Sequence, residues 1–157
     1  MKKNFIYLSM LLFAAMITVS CGKDHNDEPP LVGKWTFAYT KTTEFEFSSS
    51  SSYSNAEKEK LKDYTEDYFR DFKLTSSKNV EFMPNGEILS DNTLQGTYEN
   101  TGKNLKLTFG SNIYNCPYSI KDNQLHIIFD IYKYWNKNGD LTGMGISAFK
   151  LDIVYEK

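Results

Sequence analysis

The chain has little of what catalytic and metal centres are built from. In 157 residues there are two cysteines, Cys21 and Cys116, and two histidines, His25 and His126. They stand far apart, so no zinc-type ligand spacing occurs, and neither a serine elbow nor a glycine-rich phosphate loop is present. No catalytic residue, metal or cofactor is therefore expected. An excess of positive charge is also missing: 18 basic side chains face 20 acidic ones. That balance argues against a nucleic-acid partner, which requires a basic face to neutralise phosphates. The apolar run over residues 5–19 carries no charge but is shorter than the about 20 residues a membrane-spanning helix needs. Two cysteines give no disulfide scaffold.

What is present begins with a leader. Lys2 and Lys3 precede the apolar run, which reads as a signal peptide over residues 1–20 and not as a permanent span. Thr18-Val19-Ser20-Cys21 resembles the lipobox of bacterial lipoproteins, although a larger aliphatic residue usually stands where Thr18 is. The resemblance implies that Cys21 is acylated, with a chain such as palmitate, and becomes the first residue of the mature protein. A soluble secreted protein and a Cys21–Cys116 disulfide are the competing readings. Removal of the leader shifts the balance to 16 basic against 20 acidic side chains, because only Lys2 and Lys3 leave. Acyl chains contribute about 0.8 kcal/mol per buried methylene and would hold the protein at a bilayer without lysines. Residues 21–30 are polar, acidic and end in Pro29-Pro30, the composition of an extended tether. The tract around Lys23-Asp24 and Asp27-Glu28 resembles a loose form of the acidic signal that sends some Gram-negative lipoproteins to the outer face. Localisation at the cell envelope, anchored in the outer membrane, is the expectation, and since tethers are commonly acidic the surface and the periplasmic face both stand as readings at this point. His25 lies in that tether without preformed geometry for a metal.

Residues 31–157 carry the folding pattern of one domain. A first strand over residues 31–43 alternates Trp35, Phe37 and Tyr39 inward with Lys34, Thr36 and Thr40 outward. Ser48 to Ser52 read as a loop tip. Over residues 56–72 the period changes to that of a helix capped by Asn55, with Leu61, Tyr64, Tyr68 and Phe72 on one face and Phe69 beside them. Plain packing of that face, a lid and a partner-docking role are its three readings. After Lys73 the pattern is nearly all strand. Turns fall at Pro84-Asn85-Gly86, Thr101-Gly102, Gly110-Ser111-Asn112, Lys121-Asp122-Asn123 and residues 136–140. Pro117 should place its strand at an edge, or bulge or bend it. The penultimate strand spans residues 124–132, and the last puts Phe149, Leu151, Ile153 and Tyr155 inward. About eight strands joined as successive hairpins predict an all-β, up-and-down antiparallel barrel with one amphipathic helix between strands 1 and 2. A two-sheet sandwich is the rival, disfavoured because it usually needs longer crossings.

Gly33-Lys34-Trp35 at the start of the first strand resembles the Gly-x-Trp hallmark of the lipocalin superfamily. With the lipobox, the Phe82-Met83-Pro84-Asn85-Gly86 turn and the Gly96-Thr97-Tyr98 strand, the mature chain resembles the lipocalin-like domain lipoproteins of Gram-negative bacteria. The helix between strands 1 and 2 departs from the usual layout, in which a large loop covers the mouth there. The resemblance implies a tryptophan closing one end of the barrel and a small apolar or amphipathic ligand inside it. The interior residues that would line such a site are Trp35, Phe37, Tyr39, Phe82, Tyr98, Leu107, Phe109, Tyr114, Tyr118, Phe129, Phe149 and Tyr155. Tyrosines among them would supply hydroxyls at chosen depths. The same residues equally suit a filled barrel acting as a protein–protein interaction or structural module, and both readings stand at this point. His126 with Asp130 four residues on lacks a third catalytic member. Cys116 reads as a small buried hydrophobe.

Overall fold

The structure, a computed structural model, describes residues 30–157, so the leader, Cys21 and all of the tether but Pro30 lie outside the described residues. The elements run β1 (Gly33–Phe47), α1 (Asn55–Tyr68), β2 (Asn79–Phe82), β3 (Glu87–Ser90), β4 (Thr93–Asn100), β5 (Asn104–Phe109), β6 (Asn112–Lys121) and β7 (Gln124–Asp130). A short α2 (Ile131–Trp135), a single 3₁₀ turn (Asn136–Asn138) and α3 (Asp140–Gly143) then lead into β8 (Ile146–Glu156). All eight strands pair antiparallel in sequence order and β8 closes on β1, the expected barrel with its inserted helix.

Trp35 forms the closed end and is 1% exposed. Its indole N–H donates to the Leu31 carbonyl at 2.7 Å, and the Lys157 ammonium stands 5.0 Å from the ring centroid on the outer side. Gly33 holds φ at +129°, a conformation that side chains rarely adopt, so the backbone turn into this strand requires the glycine of Gly33-Lys34-Trp35.

The alternation read for β1 fails after Phe37. Phe37 pairs with Tyr155 but Tyr39 pairs with Val154, so Ala38 is an extra residue and the inward parity flips. Thr40 and Thr42 therefore turn toward the interior, opposite Ile153 and Leu151, while Tyr39 points out and is 44% exposed. Tyr39 is thus removed from the interior set, and Thr40 is not an outward residue. A second shift at Thr43 brings Phe45 back opposite Phe149, and the strand continues to Phe47.

Ser54, not Asn55, caps α1. Its hydroxyl accepts from the Glu57 N–H at 3.4 Å, and the Glu57 carboxylate accepts from the Ser54 N–H at 2.8 Å. The Ser54 hydroxyl, which donates to the Glu57 carboxylate at 2.6 Å, and then the Ser54 N–H hold that carboxyl below its ordinary range. The helix does not bury the aromatic face expected of it: Thr65 and Phe69 are buried, whereas Tyr64 and Tyr68 are exposed. The helix ends at Tyr68, and Phe69 and Phe72, inserted just beyond that end, fix its rotation.

Two further boundaries differ. β7 stops at Asp130, whose carboxylate accepts from the Lys133 N–H at 2.8 Å and caps α2. The segment expected to be a turn is thereby wound into helical pieces, anchored by the buried Ile131 and Leu141. Pro117 sits where β6 changes partner: residues up to Pro117 pair with β5, and pairing with β7 begins at Tyr118. There a missing N–H costs little. Above the switch, the Asn115 N–H donates to the Tyr134 hydroxyl at 2.9 Å, so an α2 side chain stands in for the absent strand.

Candidate functional site

The barrel interior is filled by the protein's own side chains. Trp35, Phe37, Phe82, Leu107, Phe129, Phe149 and Tyr155 are buried, and Tyr98, Phe109, Tyr114 and Tyr118 are partly buried against them. Ring contacts run through the interior: Phe37 to Tyr155 at 5.9 Å, Phe82 to Tyr98 at 5.1 Å and Tyr114 to Phe129 at 5.0 Å between centroids. From the end opposite Trp35 the chain that follows α1 adds Phe69, 5.3 Å from Phe149, and Phe72, 5.2 Å from Phe129. Trp135 closes over both at 5.8 Å.

Three of the hydroxyls expected to greet a ligand, those of Tyr155, Tyr98 and Tyr118, are already engaged. Tyr155 accepts from the Leu74 N–H at 2.9 Å, Tyr98 donates to the Met83 carbonyl at 2.8 Å, and Tyr118 accepts from the Asn100 amide at 2.7 Å. Burial pushes the Tyr155 phenol far above its ordinary range, against the smaller opposing effect of the Leu74 hydrogen bond. Burial, with Tyr118 nearby, also raises Tyr98. Tyr155→Phe should leave the Leu74 N–H unpaired inside the barrel, lowering stability by about 1–3 kcal/mol in urea unfolding. Cys116 is a free, fully buried thiol. Burial first, then the Asp130 carboxylate, pushes it up to about 12. At pH 8 the native protein should therefore resist alkylation at Cys116 by iodoacetamide, and mass spectrometry should find the adduct only after denaturant is added.

His126 lies on the outer wall and pairs with Asp152, not Asp130: Nδ1 is 2.9 Å from an Asp152 carboxylate oxygen. Asp152 comes from the neighbouring β8, a partner that spacing along one strand does not reveal, while Asp130 is committed to capping α2. Ser119 stands directly opposite His126 in the β6–β7 register. No hydrogen bond joins the Ser119 hydroxyl to the imidazole among the described residues.

Open space lies around α1, at the mouth. On its β2 side β1 pairs only over Gly33–Thr36, because β2 is four residues long. The Phe37 N–H reaches the Lys78 carbonyl at 2.6 Å, and the ladder stops there. α1 runs alongside the rest of β1, tied near one end by the Lys58 ammonium, 5.7 Å from the Phe47 ring centroid. At its other end the Thr40 hydroxyl donates to the Phe69 and Arg70 carbonyls. Between the ties lies a cleft of about 750 Å³ floored by Thr40, Thr42, Phe69 and Leu151 and walled by Asp63, Tyr64, Glu66, Asp67 and Arg70. On the far flank of the helix a smaller cleft of about 250 Å³ joins Tyr64, Tyr68 and Trp135 to Leu141 and Met144. Neither cleft is lined by Phe82, Leu107, Phe129 or Tyr155. Sequence reasoning missed the lining from β1, since only the bulge at Ala38 turns Thr40 and Thr42 toward this side.

Comparison with protein-family models, with curated proteins and with solved structures finds no match for the chain.

Proposed function

We propose that the chain is a membrane-anchored, lipocalin-like lipoprotein of the bacterial cell envelope whose filled barrel is a non-catalytic interaction module. The observation that carries this reading is the occupied interior: Phe69, Phe72 and Leu74 enter from the mouth, and Leu74 takes up the buried Tyr155 hydroxyl. A ligand would have to displace all three. The working surface is then the mouth around α1, where aromatic rings and the larger cleft are open to solvent. The anchor reading rests on Cys21, with acyl chains holding it in the outer membrane. Pro30 is held by the Lys157 ammonium at 3.0 Å, beside Trp35. A tether joined at Pro30 meets the domain at its closed end, the end opposite the mouth.

Native mass spectrometry of protein purified without detergent tests the filled-barrel reading. Only the apo mass is expected; a stoichiometric co-purifying small molecule would return the function to the barrel interior and overturn it. The anchor is tested separately: Cys21→Ser should move the protein from the membrane to the soluble fraction, and a variant still partitioning with membranes would sink the lipidation reading.

A further inference from the structure

We infer that the unpaired edge of β1 over residues 39–47, beneath α1, is a strand-addition site for an extended, basic peptide segment. This inference rests on reading the domain as an interaction module and names the partner's chemistry. In an antiparallel ladder, alternate residues turn both N–H and C=O to one side. Residues 39–47 use one side for β8. On the other side, among the described residues, no backbone partner follows the Phe37–Lys78 bond. Such an edge is a template for another chain. It is also long, since at about 3.3 Å per residue the segment offers on the order of 25–30 Å.

Proteins often cover an edge with a helix, and α1 lies where such a cover would be. The cover is incomplete, because a cleft of about 750 Å³ lies between the helix face of Asp63, Glu66, Asp67 and Arg70 and β1 at Thr40 and Thr42. Within the helix only Thr65 is buried, so the turns before the Phe69 anchor make few apolar contacts with the strand and can shift aside while Phe69 stays in the barrel. An added strand would extend the β1–β2 ladder past the point where β2 is too short to continue it, the backbone mode of peptide recognition.

Charge selects the side chains. The wall facing the edge carries Asp63, Glu66 and Asp67 against Arg70, three negative charges and one positive. Arg70 engages Asp67 and Lys62 reaches Glu66 at 3.8 Å from outside the cleft, whereas no ion pair is formed by Asp63 among the described residues. Lysine or arginine at alternate positions of the partner would meet this wall, and Thr40 and Thr42 below it offer small polar contacts.

The test uses the full mature chain and a fluorescent decapeptide of alternating lysine and valine. Anisotropy should show saturable binding that weakens with salt, and hydrogen exchange should slow at residues 39–47. N-methylation of alternate peptide nitrogens on the pairing edge should weaken binding at least about tenfold, since it removes backbone donors while keeping charge. The double variant Asp63→Asn, Asp67→Asn should weaken it several-fold and flatten the salt dependence. Equal binding of the N-methylated peptide, equal binding of a glutamate–valine peptide, or protection confined to other strands would each overturn the proposal. So would a dimer protected at residues 39–47 without peptide, which would make a second copy the occupant. Failure here leaves the filled-barrel reading standing, because that reading is decided by the absence of a co-purified ligand mass.

Discussion

Replacing Trp35 by alanine is expected to lower the unfolding free energy by about 3–5 kcal/mol, the range for truncating a buried large aromatic side chain. Trp35 is 1% exposed, at the closed end. Its indole N–H bond to Leu31 and the Lys157 ammonium over its outer face vanish with it, and Leu31 loses the partner that holds the chain entry against the barrel. Trp35→Phe separates the effects: it keeps most of the apolar surface and forfeits the N–H bond, so about 1–2 kcal/mol is expected. Denaturant midpoints with unchanged m-values, and near-UV circular dichroism, would check both. Domains have only about 5–15 kcal/mol in total, so Trp35→Ala should populate unfolded chain at 37 °C. A Trp35→Ala protein within 1 kcal/mol of the parent would mean that the closed end is not a packing centre.

The barrel was legible because its evidence is local. Strict alternation in β7 and β8, turn residues between hairpins, and Gly33-Lys34-Trp35 all act over a few positions, and each agrees with the final topology. The failures share another cause. Ala38 has no property that marks it as a bulge; the extra residue arises because β1 must follow the curvature of β8, and one unpaired residue reverses every side chain after it. Tyr39 and Thr40 were exchanged between inside and outside on that account. Tyr64 and Tyr68 fit an apolar helical face equally well, yet the insertion of Phe69 and Phe72 chose the neighbouring face. The partner of His126 lay on an adjacent strand, out of reach of spacing within one segment. The candidate site inherits these failures, since the larger mouth cleft exists only where β2 falls short and the bulge turns Thr40 and Thr42 toward α1.

Gly96→Ala is expected to destabilise the barrel by about 3 kcal/mol, although general propensity predicts the reverse. A glycine in a strand interior costs roughly 0.5–1 kcal/mol relative to alanine, so on that ground alone the substitution should stabilise. Geometry decides otherwise. A Cβ on Gly96 would fall inside contact distance of the Thr108 carbonyl and 2.8 Å from Cδ1 of Phe109. Thr108 belongs to the β4–β5 ladder opposite Thr97, so its carbonyl cannot retreat without breaking the pairing that holds β4 in the wall. The crowding follows from the register shift after Ile88, where Gly96 opposite Ile88 is followed by Leu94 opposite Leu89, leaving Gln95 as the extra residue. Overpacking of this kind typically costs 1–3 kcal/mol and occasionally more. Because the obstacle is backbone, the upper part of that range applies, on the order of a 10 °C fall in Tm. The sign separates the two accounts: a rise in Tm would show that β4 and β5 part easily at Gly96, and a fall with retained far-ultraviolet dichroism would show that the close approach of Gly96 to Thr108 holds this side of the barrel closed.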